Sequence, residues 1–168
     1  VETIDSYLLH GPHSFPGLCK EDMEVWKALE DIYDSGKTKS IGVSNVNQQQ
    51  LETLCELSKV TPMVVQNRCY ADRAWDQEVR DFCKQNSILY QGFSLLTANP
   101  AVYKIREIGQ IASKYRVTIG QLIFRFSSQL GIIPLTGTTD PIHMEEDLKI
   151  FEFTLTDEEI HLIETCSI

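Results

Sequence analysis

Short apolar runs alternate along the chain with longer segments in which apolar residues recur at helical spacing. The runs predict five strands, at residues 3–10, 40–43, 63–66, 88–93 and 132–135. Apolar residues three or four positions apart predict helices between and after them, near residues 22–35, 51–55, 75–86, 102–112, 120–130 and 141–148. Because at least one helix follows each strand, the pattern indicates a parallel α/β sheet with helical crossovers.

Local signals mark where several of these helices begin and end. Asn47 belongs to a residue type that caps helix N-termini. The segment from Thr156 to Glu159 has the form of a capping box, in which a hydroxyl and a carboxylate each accept from a free backbone N–H. Gly36 and Gly131 stand where a helix end calls for a left-handed residue. These residues predict boundaries that apolar periodicity alone leaves open.

The number of predicted units leaves two architectures open. A TIM (β/α)8 barrel needs eight strand–helix units and typically about 250 residues, whereas this chain has 168 residues. It could be part of such a barrel, with the N-terminal units missing, or an open doubly wound sheet. The start at Val1, directly before a strand, favours the partial barrel. The absence of G-x-G-x-x-G after the first strand weighs against a dinucleotide-binding open sheet.

Composition and charge narrow the classes of partner. The net charge of −9 argues against binding to a nucleic-acid backbone. No run approaches 18 apolar residues, so no membrane span is expected, and no signal peptide is visible. Five cysteines in an irregular, odd-numbered set without a CxxC pair argue against a disulfide framework or a metal site. We therefore expect reduced thiols and a cytoplasmic location.

Polar residues follow the predicted strands at their carboxyl ends, which is the edge where parallel α/β folds bind ligands. They are His10, Ser44 with Asn45, Gln66 with Asn67, Ser94, and residues 136–139. The presence of any one of these residues is also explained by helix capping or by a buried backbone group that needs a hydrogen-bond partner. As a set on five separate strands, they predict a ligand site at one rim of the sheet.

Five blocks, in order along nearly the whole chain, resemble the C-terminal two-thirds of an aldo-keto reductase. They are DSYLLHGP at 5–12, WKALE to IGVSN within 26–45, VQN at 65–67, YQGFS at 90–94, and QLIFR at 121–125 with the LT that follows at 155–156. The resemblance implies a single domain over residues 1–168 that is an N-terminally truncated TIM barrel. It also implies reduction of aldehydes and ketones with NADPH or NADH.

The resemblance assigns a role to each matching residue. His10 would orient the substrate carbonyl and support proton delivery, because an imidazole N–H can bind the oxygen as negative charge builds on it. Phe93 would stack on the nicotinamide ring. The other matches would bind the cofactor through the carboxamide (Ser44, Asn45, Gln66), the diphosphate (Ser94, Leu96) and the adenosine end (Gly137, Thr138, His143, Glu146, Asp147).

The sequence departs from the family pattern at three places. The family's catalytic tyrosine, aspartate and lysine come from units before His10 and have no counterpart in this chain. Gly11 stands where the family usually has tryptophan. Gly137 and His143 replace a lysine and an arginine that neutralise the 2′-phosphate of NADPH, with Thr138 for serine and Asp147 for asparagine beside them. We therefore expect little or no preference for NADPH over NADH.

Two functions from different classes fit these observations. The first is an oxidoreductase for a small carbonyl substrate. The second is a non-catalytic binding or regulatory module, motivated by the missing catalytic residues. In that case self-association or a partner would cover the exposed sheet edges that a partial barrel leaves open. A nucleotide-binding open sheet is a third and weaker alternative, because the glycine-rich phosphate loop is absent.

Overall fold

Five parallel strands follow one another across a single sheet in the order of the chain. A computed structural model describes residues 2–166. The strands are β1 (Tyr7–Leu9), β2 (Ile41–Ser44), β3 (Val64–Arg68), β4 (Leu89–Phe93) and β5 (Ile133–Pro134). The helices are α1 (Lys20–Asp34), α2 (Gln48–Leu57), α3 (Gln77–Gln85), α4 (Arg106–Tyr115), α5 (Ile119–Gln129), α6 (Pro141–Leu148) and α7 (Asp157–Thr165). The predicted parallel α/β fold is confirmed.

The register of the first three strands sets which polar residues meet. Leu8 pairs with Gly42 across β1 and β2, and Ser44 pairs with Gln66 across β2 and β3. All four residues of β2 are buried, as expected for a strand covered on both faces. The polar residues predicted to follow β1, β2 and β3 therefore lie at the ends of neighbouring strands.

Several predicted elements differ from the structure at their end residues, and three differ in a way that has a physical reason. The buried strand predicted at 3–10 shrinks to β1, whose side chains are half-buried or exposed, because β1 lies at the end of the sheet order. The helix predicted at 102–112 splits into a 3-10 turn, Val102–Lys104, and α4, because Ile105 between them is extended. The helix predicted at 75–86 begins at Gln77, after left-handed backbone at Ala74 and Trp75.

The chain divides into two compact units. The first comprises residues 1–67 and 78–91, and the second comprises residues 68–77 and 92–168. The largest fully buried side chains of the first are Trp26, Ile41 and Leu51. In the second, the rings of Trp75 and Phe126 pack edge to face with centroids 5.1 Å apart, and the Trp75 indole N–H donates to the carbonyl of Ile163. The single domain over 1–168 stays a prediction.

Candidate functional site

In the first unit, one side-chain amide links the ends of β1 and β2. Asn45 Nδ2 donates to the backbone carbonyl of His10 at 2.8 Å and to Ser44 Oγ at 3.1 Å. Asn45 itself has left-handed backbone, with φ of 56°. The His10 side chain is exposed and makes no hydrogen bond to any residue within 2–166. Three predicted site residues are thus brought together, with the imidazole open to a ligand.

Gln66 joins the same cluster from β3. Its backbone carbonyl accepts from the Ser44 hydroxyl at 2.5 Å and from the Asn45 N–H at 3.2 Å. Its side-chain Nε2 donates to Gln91 Oε1 at 2.9 Å, which orients the amide. The oxygens Asn45 Oδ1 and Gln66 Oε1 accept no hydrogen bond from the described residues, so both are available to an amide N–H of a ligand.

Gln91 is a site residue that the sequence prediction missed. It lies in β4 between the buried residues Tyr90 and Gly92. A polar side chain between two buried residues of a strand is the signal that could have found it, because such a group needs a partner. Its partner, Gln66, is 25 positions away in the chain.

In the second unit, all five residues predicted for the adenosine end of the cofactor, and one predicted for the diphosphate, line one cavity. Its volume is about 330 Å³, within the range of small-molecule sites in proteins. The predicted residues in its wall are Leu96, Gly137, Thr138, His143, Glu146 and Asp147. Gly120 and Gln121, at the start of α5, form another part of the wall. The cavity thus gathers six predicted residues from three segments of the chain.

The cavity wall is about half apolar and half polar, and it carries acidic side chains. Gln121 Nε2 donates to the backbone carbonyl of Glu146 at 3.0 Å, and Thr136 Oγ1 donates to Asp147 Oδ2 at 3.2 Å. Asp140 caps α6 by accepting from the N–H of Ile142. No lysine or arginine lies in the wall among the described residues. The electrostatics of this wall therefore favour hydroxyl and amine groups over a phosphate.

Phe93 and Ser94, also in the second unit, lie outside that cavity wall. The Arg68 guanidinium lies 5.4 Å from the centroid of the Phe93 ring, which is a cation–π contact. Ser94 has left-handed backbone, and its carbonyl accepts from the N–H of Ala98. Arg68 was missed from the sequence, since nothing local pairs it with an aromatic residue 25 positions later.

A buried amide holds the segment that carries Leu96. Asn99 Oδ1 accepts from the N–H of Ala71, and Asn99 Nδ2 donates to the carbonyls of Cys69 and Leu95. The loop after β4 is thereby tied to residues 69–71 of the same unit. Nothing in the sequence indicates this role, because Asn99 stands beside Pro100 and is typical of a turn.

Residues 2–166 contain neither a candidate metal site nor a candidate membrane span. No group of three or more histidine, cysteine or acidic side chains there could hold a metal ion. No helix in the same range is long and apolar enough to cross a membrane.

Comparison with known proteins assigns the chain to a family. The sequence profile of the Aldo/keto reductase family matches residues 1–168, and the chain belongs to that family. It is 32% identical over 167 residues to the 9,11-endoperoxide prostaglandin H2 reductase of Trypanosoma cruzi, covering 98% of this chain and 56% of the relative. It is 31% identical over 175 residues to the NADPH-dependent alpha-keto amide reductase of Saccharomyces cerevisiae, covering 97% and 55%.

A solved structure shows how much of the family fold this chain covers. The crystal structure of MGS-M4, an aldo-keto reductase enzyme from a Medee basin deep-sea metagenome library, matches with a TM-score of 0.89 at 28% identity. The match covers 98% of this chain and 60% of that one. The chain spans about half the length of the curated relatives it matches. The partial TIM barrel is therefore confirmed, and the open doubly wound sheet is excluded.

Proposed function

We propose that the protein reduces aldehydes or ketones to alcohols with a nicotinamide cofactor, and that this chain supplies the cofactor site. The observation that carries the proposal is the cavity of the second unit, which gathers Leu96, Gly137, Thr138, His143, Glu146 and Asp147. Membership of the Aldo/keto reductase family supports it independently. The substrate is a small carbonyl compound.

The residues present fit the groups of such a cofactor. Glu146 and Asp147 offer carboxylate oxygens to the adenine amine and the ribose hydroxyls, and Thr138 adds a hydroxyl. Asn45 and Gln66 offer amide oxygens to a carboxamide N–H. The Phe93 ring offers a flat apolar face for stacking. The Arg68 guanidinium lies against this ring, so the nicotinamide would stack either beside the guanidinium or in its place.

The chemistry divides between the cofactor and the protein. A bound nicotinamide supplies the hydride. His10 donates a hydrogen bond from its imidazole to the substrate carbonyl oxygen, which stabilises the negative charge that develops there. No residue of this chain corresponds to the family's tyrosine acid. We therefore expect the 168-residue chain to bind cofactor but to turn over substrate slowly by itself.

NADH should bind at least as well as NADPH. The 2′-phosphate of NADPH would enter a wall that contains the carboxylates of Glu146 and Asp147 and, among the described residues, no lysine or arginine. Like charges in such a wall repel the phosphate. In this respect the chain should differ from the yeast relative, whose name states that it depends on NADPH.

A fluorescence titration tests the proposal. NADH and NADPH are added separately to the 168-residue chain, and the emission of the reduced nicotinamide is followed to saturation. Gly120 lies in the wall of the cavity, so the ring of Gly120→Phe would enter it. The Cβ itself is tolerated, because it meets Leu96 Cδ1 at 3.5 Å, an ordinary contact. We expect at least a tenfold weaker affinity for NADH. Gly109→Phe is the matched control, because no atom lies within 4 Å of its Cβ and it lies outside the cavity wall.

Two results would contradict the proposal. One is a wild-type chain that shows saturable binding of neither NADH nor NADPH. The other is a Gly120→Phe variant that binds NADH as tightly as Gly109→Phe does, because the ligand would then lie outside this cavity.

A non-catalytic binding module is the second candidate. Each unit carries an end strand of the sheet with an exposed apolar residue, Tyr7 in β1 at 44% and Ile133 in β5 at 41%. Edge strands of this kind invite another chain to cover them. Sedimentation of the isolated chain distinguishes the candidates: a stable dimer that binds no cofactor favours the module, and a cofactor-binding chain favours the reductase.

The cysteines bear on location. All five lie within the described residues, and none forms a disulfide. Reduced thiols are typical of the cytoplasm, and we propose that the protein resides there.

A further inference from the structure

The loop that follows His10 is held by a single buried carboxylate. Asp22, on the first turn of α1, is only 2% exposed. Its Oδ1 accepts from the N–H of His13 at 2.7 Å, and its Oδ2 accepts from Ser14 Oγ at 3.1 Å. The same Oδ2 accepts from the N–H of Cys19 at 2.9 Å and from the Cys19 thiol at 3.2 Å. One side chain thus binds both ends of the segment 13–19.

This set of contacts exceeds what helix capping requires. In a capping box, the third residue of the helix binds only the N–H of the capping residue. For Asp22 that contact is the one to Cys19. The contacts to His13 and Ser14 reach nine and eight positions back in the chain and have no role in starting α1. They serve the loop instead.

A second anchor holds the same loop from α2. Gln50 Nε2 donates to the carbonyl of Ser14 at 2.7 Å and to that of Gly17 at 3.1 Å. Asn47 Nδ2 donates to the carbonyl of Pro16 at 2.9 Å. In the loop between β1 and α1, a side chain of α1 thus binds backbone N–H groups, and side chains of α2 and its cap bind backbone carbonyls. These contacts restrict the backbone conformation of the loop.

We propose that Asp22 is a positioning residue that fixes segment 11–19 and thereby the orientation of His10. The proposal rests on the role assigned to His10 under the proposed function. The His10 imidazole makes no hydrogen bond to a described residue, so the contacts of its backbone fix the point from which it projects. That backbone is fixed by Asn45 on the His10 carbonyl and, three residues on, by Asp22 on the His13 N–H. A displacement of about 1 Å in such a group can cost roughly a hundredfold in rate.

The charge state of Asp22 agrees with this role. Burial raises the pKa of Asp22, but the N–H groups of Cys19 and His13, together with the Cys19 thiol and the Ser14 hydroxyl, lower it by more. The net result is a pKa far below the usual range of a carboxyl group. The side chain is therefore an acceptor on both oxygens at neutral pH, as the four contacts require.

Asp22→Asn tests the proposal, because the amide keeps the shape but turns one acceptor into a donor. The matched control is Glu30→Gln, a second buried carboxylate on α1, whose Oε1 accepts from the N–H of Val60 at 2.8 Å, away from the loop. Amide hydrogen exchange of residues 11–19 and the NMR shifts of the His10 imidazole are measured in the 168-residue chain. NADH affinity is measured alongside.

We expect Asp22→Asn to speed exchange in the loop at least tenfold and to shift the His10 imidazole signals. Glu30→Gln should leave both unchanged. NADH affinity should stay within twofold of wild type in both variants. If the enzyme turns over an aldehyde, kcat should fall at least tenfold in Asp22→Asn, because the imidazole is misplaced for the reacting oxygen.

The proposal is overturned if folded Asp22→Asn matches Glu30→Gln in loop exchange and in the His10 signals. If Asp22→Asn does not fold, Ser14→Ala decides, since it removes the hydroxyl that contacts Asp22 Oδ2 and the Gly17 carbonyl and keeps the contacts of Asp22 to Cys19. Wild-type loop exchange in Ser14→Ala then overturns the proposal, and faster exchange supports it. A wild-type chain that binds no NADH would refute the proposed function, whereas the exchange and NMR results would still decide the role of Asp22.

Discussion

The side-chain amide of Asn45 donates to the backbone carbonyl of His10, 2.8 Å away, and so joins the end of β2 to the end of β1. Asn45 reaches this position with left-handed backbone, φ 56°. Asparagine tolerates that conformation better than most residues, whereas alanine does not. One residue thus combines a strained backbone with the contact that holds the candidate catalytic residue.

Asn45→Ala should therefore destabilise the chain more than Asn45→Gly. Both variants lose the two side-chain hydrogen bonds, each worth about 1 kcal/mol. Alanine adds about 1 kcal/mol for the left-handed backbone, which glycine adopts freely. Urea unfolding measures the difference. Equal free energies of unfolding for the two variants would show that the backbone at Asn45 is not strained.

Gly42 is the position in β2 where a side chain cannot fit. A Cβ there would collide with the carbonyl oxygen of Val64 and with Leu8 Cδ2, on the two neighbouring strands. Gly42→Ala should lower the free energy of unfolding by about 3 kcal/mol, because strand backbones must move apart.

Gly109→Ala serves as the opposite case. No atom lies within 4 Å of a Cβ at Gly109 in α4, and its backbone is not left-handed. Alanine there should raise the free energy of unfolding by about 0.5–1 kcal/mol through helix propensity. Denaturant unfolding of both variants measures the contrast. A Gly42→Ala variant as stable as wild type would contradict the observed register of β2 with its neighbours.

Sequence patterns were most successful where the signal is local. The helix predicted at 141–148 has the bounds of α6, because Asp140 caps it and Pro141 begins it. Asn47 and Thr156 both form the capping contacts expected of them. The break at Ile105 was missed because a 3-10 turn and a helix have similar apolar spacing. The exposure of β1 was missed because it depends on the position of the strand in the sheet.

In the candidate site, too, local sequence signals could be recognised, whereas contacts between distant residues could not. Polar residues at strand ends could be predicted because each follows an apolar run, and His10, Ser44, Asn45 and Gln66 do cluster. Arg68 and Asp22 could not be predicted, since each acts through a partner that only folding brings near, whereas Gln91 carried one missed signal, a polar side chain inside a strand. For Asp22 the capping form was visible but its contacts to His13 and Ser14 were not.

Cofactor choice should change with two substitutions in the wall of the cavity. Gly137 has open space within 4 Å of the point where a Cβ would lie and has no left-handed backbone, so Gly137→Lys should be accommodated. His143 is exposed on α6 beside Asp140, with Nδ1 and Oδ2 4.0 Å apart, so an arginine fits there as well. The double variant Gly137→Lys/His143→Arg should bind NADPH about tenfold more tightly, through charge-assisted hydrogen bonds to the 2′-phosphate.

The affinity for NADH is the internal control of that experiment. It should stay within about twofold, since NADH has no 2′-phosphate and screening weakens long-range attraction. Equal gains for NADH and NADPH would show that the new charges act on the diphosphate and not at the adenosine end.

The stabilising effect of Asp22 should depend on pH in a defined direction. Because the folded state lowers the pKa of this carboxyl, the stabilisation is complete above the pKa of the unfolded chain, about 3.9. It is lost as the pH falls from there through the folded-state pKa, since the unfolded state takes up the proton first. The difference in free energy of unfolding between wild type and Asp22→Asn should therefore be constant from about pH 7 to 5 and shrink below about pH 4.

Denaturant unfolding of both proteins across that range measures this difference, since the Asn variant has no titrating group at position 22. The His13 imidazole also faces the carboxylate, with Nδ1 3.5 Å from Asp22 Oδ1, and is a second ionisable group in contact with it. Repeating the pair of measurements in a His13→Gln background removes that imidazole while the backbone N–H of residue 13 still donates. A difference that already falls between about pH 7 and 5 in this background would mean that the carboxylate is not held by the contacts described.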